Sequence, residues 1–104
     1  MTNKEKRQQL LSNELTIFEV EGLADYYFLL HTLPYGNENE YTIKSVERVE
    51  KEKGRIFGRD NKTMVIDKIT PTTMKMFTFS LLDEYIKASI KLSNITIKDT
   101  QHEN

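Results

Sequence analysis

Polar and apolar residues alternate with a period of two through most of this chain and follow helical spacing only near its start. From Asn3 to Leu15, NKEKRQQLLSNEL is rich in helix formers and contains no β-branched residue. Its apolar positions, Leu10, Leu11 and Leu15, make a narrow stripe at helical spacing. This predicts one short helix over about Lys4 to Ser12, docked as a cap over one end of a sheet. At Leu15 the period changes. In LTIFEVEG, Ile17 shares a face with Glu19 and Glu21, while Phe18 and Val20 point the other way, as in a half-buried strand.

Gly22 to Asp25 reads as a turn, and DYYFLLHTLP as a strand apolar on both faces, ended by Pro34. YGNENE is then a polar loop. The segment EYTIKSVERVEKEKGRIFGRD is ambiguous. Ile43, Val46 and Val49 recur every three residues, with Glu47 and Lys51 as a supporting helical pair. Tyr41, Thr42, Ile43 and Val46 also suit a strand carrying a bulge, and strands on either side favour that choice. Asp60-Asn61 is a tight-turn signal, and TMVIDKI is the returning strand, ended by Pro71.

TMKMFTFSL has the aromatic and threonine content of a strand. LDE connects it to a stretch in which Ile86, Ala88, Ile90 and Leu92 alternate with Lys87, Ser89, Lys91 and Ser93. A helix over Ser80 to Leu92 is the alternative, with Leu82, Tyr85, Ile86 and Ser89 on one face, but the alternation is the stronger signal. Ile95 and Ile97 resume it one residue out of phase, which reads as a bulge at Asn94. The fold class is therefore mainly β: a short N-terminal helix and about seven strands in a small antiparallel barrel or strongly curved sheet. Residues 1–98 form one domain in this reading, and 99–104 a polar tail. Sm-like and PUA-like small barrels share this helix-then-strands order, an analogy of fold alone.

Composition narrows the function by exclusion. The 104 residues contain no cysteine, which removes disulfides, thiolate metal sites and cysteine nucleophiles, and fits a reducing, cytoplasmic setting. The first fifteen residues lack the apolar stretch of a leader, and no apolar run has membrane-spanning length. His102 lies in the tail, and His31 reads as a hydrogen-bonded core residue with no metal-ligand spacing around it. No nucleophile elbow or paired-carboxylate pattern emerges, so the expectation is a binding protein without catalytic residues, metal or cofactor.

A net charge of −1 means that any charged site must come from local clustering. It does cluster in one place. Lys51, Lys53, Arg55, Arg59 and Lys62 stand against only Glu52 and Asp60. The glycines of GRIFGRDNKTM resemble a phosphate loop, but no lysine-hydroxyl pair and no helix follow Gly58, so the segment reads as a hairpin. If it is extended, Lys53, Arg55, Phe57 and Arg59 share one face, with Gly54, Ile56 and Gly58 on the other. Cations around an aromatic are what single-stranded nucleic acid needs: charge for phosphates and a ring for a base. The first expectation is thus a regulatory domain binding single-stranded RNA through Lys53, Arg55, Phe57, Arg59 and Lys62. The alternative is an adaptor or inhibitor binding a protein through Tyr26, Tyr35 and Tyr41 around the YGNEN loop and an exposed sheet edge. A structural homo-oligomer is the third.

Overall fold

The computed structural model describes the backbone of residues 1–35, 41–52, 62–79 and 85–98, and the side chains of 1–32, 43–52, 64–77 and 87–98. A helix, α1 (Asn3–Ser12), precedes strands β1 (Leu15–Val20), β2 (Tyr26–Tyr35), β3 (Tyr41–Glu50), β4 (Lys62–Ile69), β5 (Thr73–Phe79), β6 (Tyr85–Lys91) and β7 (Ile95–Lys98). All seven strands join one antiparallel sheet in the order β6-β5-β4-β3-β2-β1-β7, strongly curled into a half-barrel. In the two ambiguous segments, Tyr41–Glu50 and Tyr85–Lys91 are strand. Residues 41–50 run as β3 in unbroken register with β2, from Tyr26 opposite Glu50 to Tyr35 opposite Tyr41. The bulge suspected in this strand is absent, and Val46 faces the core from an ordinary pleat.

Two other irregularities stand where alternation misleads. The phase break at Asn94 is not a bulge. Leu92–Asn94 form a 3-10 turn whose Leu92 is fully buried, and the chain then leaves β6 to pair β7 with β1. Burying Leu92 turns the chain from one edge of the sheet to the other. The real bulge lies between Ile66 and Lys68 on β4. Pro34 does not end β2 either: it continues in register opposite Thr42. β1 pairs with β2 only as far as His31, so the imide nitrogen of Pro34 removes no bond from that ladder.

The inner face of the half-barrel carries the core: Phe18 and Val20, Phe28 and Leu30, Val46, Ile69, Met74 and Met76, with Leu10, Leu92 and Ile95. Phe18 and Phe28 stack at 5.4 Å between ring centroids. Methionines fill part of this core, Met74 and Met76 buried and Met64 packed at the margin. His31 differs from expectation. It belongs to the outer face, half-buried, with Nε2 3.5 Å from Oε1 of Glu47. The β1–β2 turn uses Gly22 at φ +88°, a conformation that disfavours other residues.

α1 begins with a capping box, Thr2 and Glu5 each accepting from the other's backbone N–H. The Thr2 backbone N–H and then its hydroxyl, both donating to the carboxylate, hold the Glu5 carboxyl below its usual value. Of the expected stripe only Leu10 is buried; Leu11 is exposed, and Leu15 belongs to β1 with an exposed side chain. Cations supply the remaining attachment. Lys6 Nζ donates to the Leu92 carbonyl at 2.9 Å and Arg7 Nε to the Ile69 carbonyl at 2.8 Å. Lys44 Nζ reaches the Asn13 carbonyl at 3.2 Å and Thr32 Oγ1 at 3.0 Å. The Lys44 ammonium thus meets the negative end of the helix dipole, although burial lowers its pKa.

Thr16 is buried on the inner face, and its hydroxyl has no hydrogen-bond partner among the described residues. An unmet buried hydroxyl costs about 1–3 kcal/mol, whereas an apolar group of the same shape costs nothing there. Thr16→Val is therefore expected to preserve or raise the thermal midpoint, by up to several degrees at about 4–8 °C per kcal/mol. A clear drop in a thermal melt would show that the hydroxyl is satisfied after all.

Candidate nucleic-acid interface

Strand register determines which basic and aromatic residues share a surface. At one end of the sheet, β2 begins, β3 finishes and β4 begins, so this end forms the base of the basic segment. Tyr26 stands opposite Glu50, Tyr27 opposite Val49, and Arg48 opposite both Phe28 and Lys62. Two cation–aromatic pairs result. The Arg48 guanidinium lies 4.3 Å from the centre of the Tyr26 ring, and Lys51 Nζ lies 4.9 Å from that of Tyr27. They occupy opposite faces of the sheet: Tyr26 packs against the core, while Tyr27 is exposed on the outer face.

Lys51 is also engaged by Glu19, 3.2 Å away, and Lys98 approaches the same carboxylate at 3.3 Å. The Lys51 and Lys98 hydrogen bonds hold the Glu19 carboxyl below its ordinary value. The charge of Lys51 is therefore shared between the Tyr27 ring and Glu19. Lys53, Arg55, Phe57 and Arg59 lie outside the described residues, as do Gly54, Ile56 and Gly58. Of the expected basic set, Lys62 is placed, by its backbone, at the first position of β4.

The tyrosines do not gather at one place. Tyr35 and Tyr41 are cross-strand partners beside the YGNEN loop, whereas Tyr26 begins β2 at the far end of the same strand. Ten extended residues separate the two ends by about 30 Å. The sequence suggested a single cluster because Tyr26 and Tyr27 are near the loop in number; an extended chain carries them away from it.

A second concentration of charge has no counterpart in the linear sequence. On the outer face, Lys75 of β5 stands directly opposite Lys68 of β4 on one side and Ser89 of β6 on the other. One step along, Phe77 is opposite Lys87. These residues line an open cleft of about 540 Å³, together with Asp67. Lys68, Lys75 and Lys87 are far apart in number and become neighbours only through pairing. The signal that could have exposed them is the β4 phase: Ile66 and Ile69 both face inward, which requires an extra residue between them.

Among the described residues no three histidine, cysteine or acidic side chains come together as a metal site. No helix among them is long and apolar enough to cross a membrane. The resolved pKa shifts, at Glu5, Glu19 and Lys44, belong to the helix cap, a surface ion pair and the helix C-terminus. No known protein family, curated protein or solved structure matches the chain.

Proposed function

We propose that this protein is a non-enzymatic regulatory module of the cytoplasm that binds single-stranded nucleic acid, RNA in the first instance. The supporting observation is the pairing of Arg48 with Tyr26 and Lys51 with Tyr27 at the base of the basic 53–59 segment. Phosphates would be met by Lys53, Arg55, Arg59 and Lys62, and bases by stacking on Phe57 and on the exposed ring of Tyr27. Guanidinium and ammonium groups held beside rings suit a strand whose charged backbone and flat bases alternate.

The test is fluorescence anisotropy with a labelled oligouridylate across a salt series. Affinity should fall steeply with salt, with a slope of about −0.7 in log–log form per phosphate contacted. Arg55→Ala and Arg59→Ala should each reduce that slope by about one such step. An absence of binding at low salt, or binding indifferent to salt, would overturn the proposal. The adaptor reading retains one favourable observation, the cross-strand pair Tyr35 and Tyr41. It requires a stoichiometric protein partner that survives nuclease treatment. The homo-oligomer reading is decided by light scattering.

A further inference from the structure

Edge strands of β-sheets often carry lysines that discourage pairing with other chains. That accounts for Lys87 and Lys91 on β6, which is an edge of this sheet. It does not account for Lys68 and Lys75. They lie on β4 and β5, interior strands with neighbours on both sides, yet they face each other across the ladder. Like charges directly opposite one another destabilise a pair of strands.

The bulge produces this arrangement. In a regular strand, Ile66 inward would put Asp67 outward, Lys68 inward and Ile69 outward. The extra residue lets Ile69 enter the core and leaves Asp67 and Lys68 both exposed, with Lys68 opposite Lys75. Ile69 needs the bulge, but nothing in the packing of Ile69 needs a lysine at 68 or at 75. The two ammonium groups are brought together on a surface where any polar residue would serve the fold.

From this juxtaposition we infer that the outer cleft of β4, β5 and β6 is a phosphate-binding site formed by Lys68, Lys75, Lys87 and Ser89. Three lysines rise from three adjacent strands around the cleft, with Asp67 as the acidic residue among its described lining. Compact ammonium groups serve phosphate as point charges, as a P-loop lysine does. Ser89 adds a hydroxyl donor opposite Lys75, and half-buried Phe77 provides the apolar flank between Lys75 and Lys87. The matching ligand is a run of phosphate groups carrying two or more negative charges, either a free polyphosphate or successive phosphodiesters of a nucleic-acid strand. A bound phosphate would also relieve the repulsion between Lys68 and Lys75. The site stands independently of the hairpin reading, because it shares none of the residues assigned there.

Two probes distinguish the sources: inorganic tripolyphosphate and an oligouridylate of about twelve nucleotides, measured at low salt by calorimetry and anisotropy. The variants are Lys68→Ala/Lys75→Ala, the hairpin pair Arg55→Ala/Arg59→Ala, and Lys91→Ala as an exposed control on the same face but outside the cleft. In the cleft variant, dissociation constants should rise at least tenfold for whichever probe the wild type binds, against less than twofold in Lys91→Ala. Removing two exposed lysines that repel each other should not lower the thermal midpoint, so a fold defect is separable from a binding defect. Tripolyphosphate binding lost in the cleft variant but kept in the hairpin variant assigns a free-phosphate site, even if RNA binding fails. Oligouridylate binding alone, weakened by the cleft variant, assigns the site to strand phosphates. Wild-type protein that binds neither probe at low salt, or a cleft variant that binds like wild type, overturns the inference.

Discussion

Phe18→Ala is expected to remove about 3–5 kcal/mol of stability, the range for emptying a fully buried aromatic site. Phe18 has no solvent exposure and stacks on Phe28 across the β1–β2 ladder, so both its burial and its ring contact are lost. The inner face cannot readily collapse into the vacancy, because β1 is tied on both sides, to β2 and to β7. Domains of this size are stable by only about 5–15 kcal/mol, so the loss would be a large share of the total. It would appear as a fall in thermal midpoint of more than about 12 °C. Leu23→Ala, at an exposed turn position, should change little. If Phe18→Ala cost less than about 1 kcal/mol in urea titrations, the assignment of Phe18 to the centre of the core would be wrong.

The second large effect is Leu10→Ala, at about 2–5 kcal/mol. Leu10 is the buried side chain of α1, and the cationic contacts from Lys6, Arg7 and Lys44 are the other attachments. Each of those bonds has a charged donor and is worth about 1.5–3 kcal/mol net when buried, and less where solvent screens it. The three together therefore rival Leu10, and losing Leu10 shifts the balance against docking. A ten-residue helix has little stability in water once it leaves its docking surface. Hydrogen exchange should consequently rise throughout α1 while the amides of β2 to β5 stay protected. Leu11→Ala is the paired control, since Leu11 points to solvent. An equal loss of protection in both variants would reverse the docking face described above.

Much of the architecture was legible in the sequence because a strand leaves a period-two imprint wherever one face is buried. β1 and the alternating part of β6 show it plainly, and the turn at Gly22 is marked by its own chemistry. The features that escaped share a cause: each interrupts the period for a reason lying elsewhere in the chain. The transfer of β7 to the far edge resembles a bulge in sequence because both shift the phase by one. Only the burial of Leu92 and the pairing of Ile95 with Val20 distinguish them. Pro34 reads as a terminator, since sequence does not show that β1 has already left that side of β2. The docking of α1 was expected, but its polar contacts are hidden because their acceptors are backbone carbonyls, at Leu92 and Ile69, that carry no residue signature. Thr2 and Glu5, by contrast, spell a capping box that could have been read directly.

The candidate sites divide in the same way. A basic run such as 51–62 is visible as composition, though composition does not give it a surface. Lys68, Lys75 and Lys87 look unremarkable in a line and become a cluster only when register and bulge are known.

The 3-10 turn at Leu92–Asn94 also bears on how the chain reaches this shape. Five of the six strand pairings join neighbours in sequence, from β1–β2 through β5–β6. Such meanders form from local contacts that close short loops. The sixth brings Val20 to Ile95 and Ile17 to Lys98, nearly the full length of the sheet apart in sequence. Loop-closure entropy rises by about 0.6 kcal/mol with each doubling of length, so this pairing costs roughly 2 kcal/mol more than a hairpin of ten residues. β7 offers only four residues against that cost. Its pairing becomes favourable once the meander has curled and Leu92 has anchored the turn, which makes the addition of β7 to β1 a product of the folded sheet and not its nucleus.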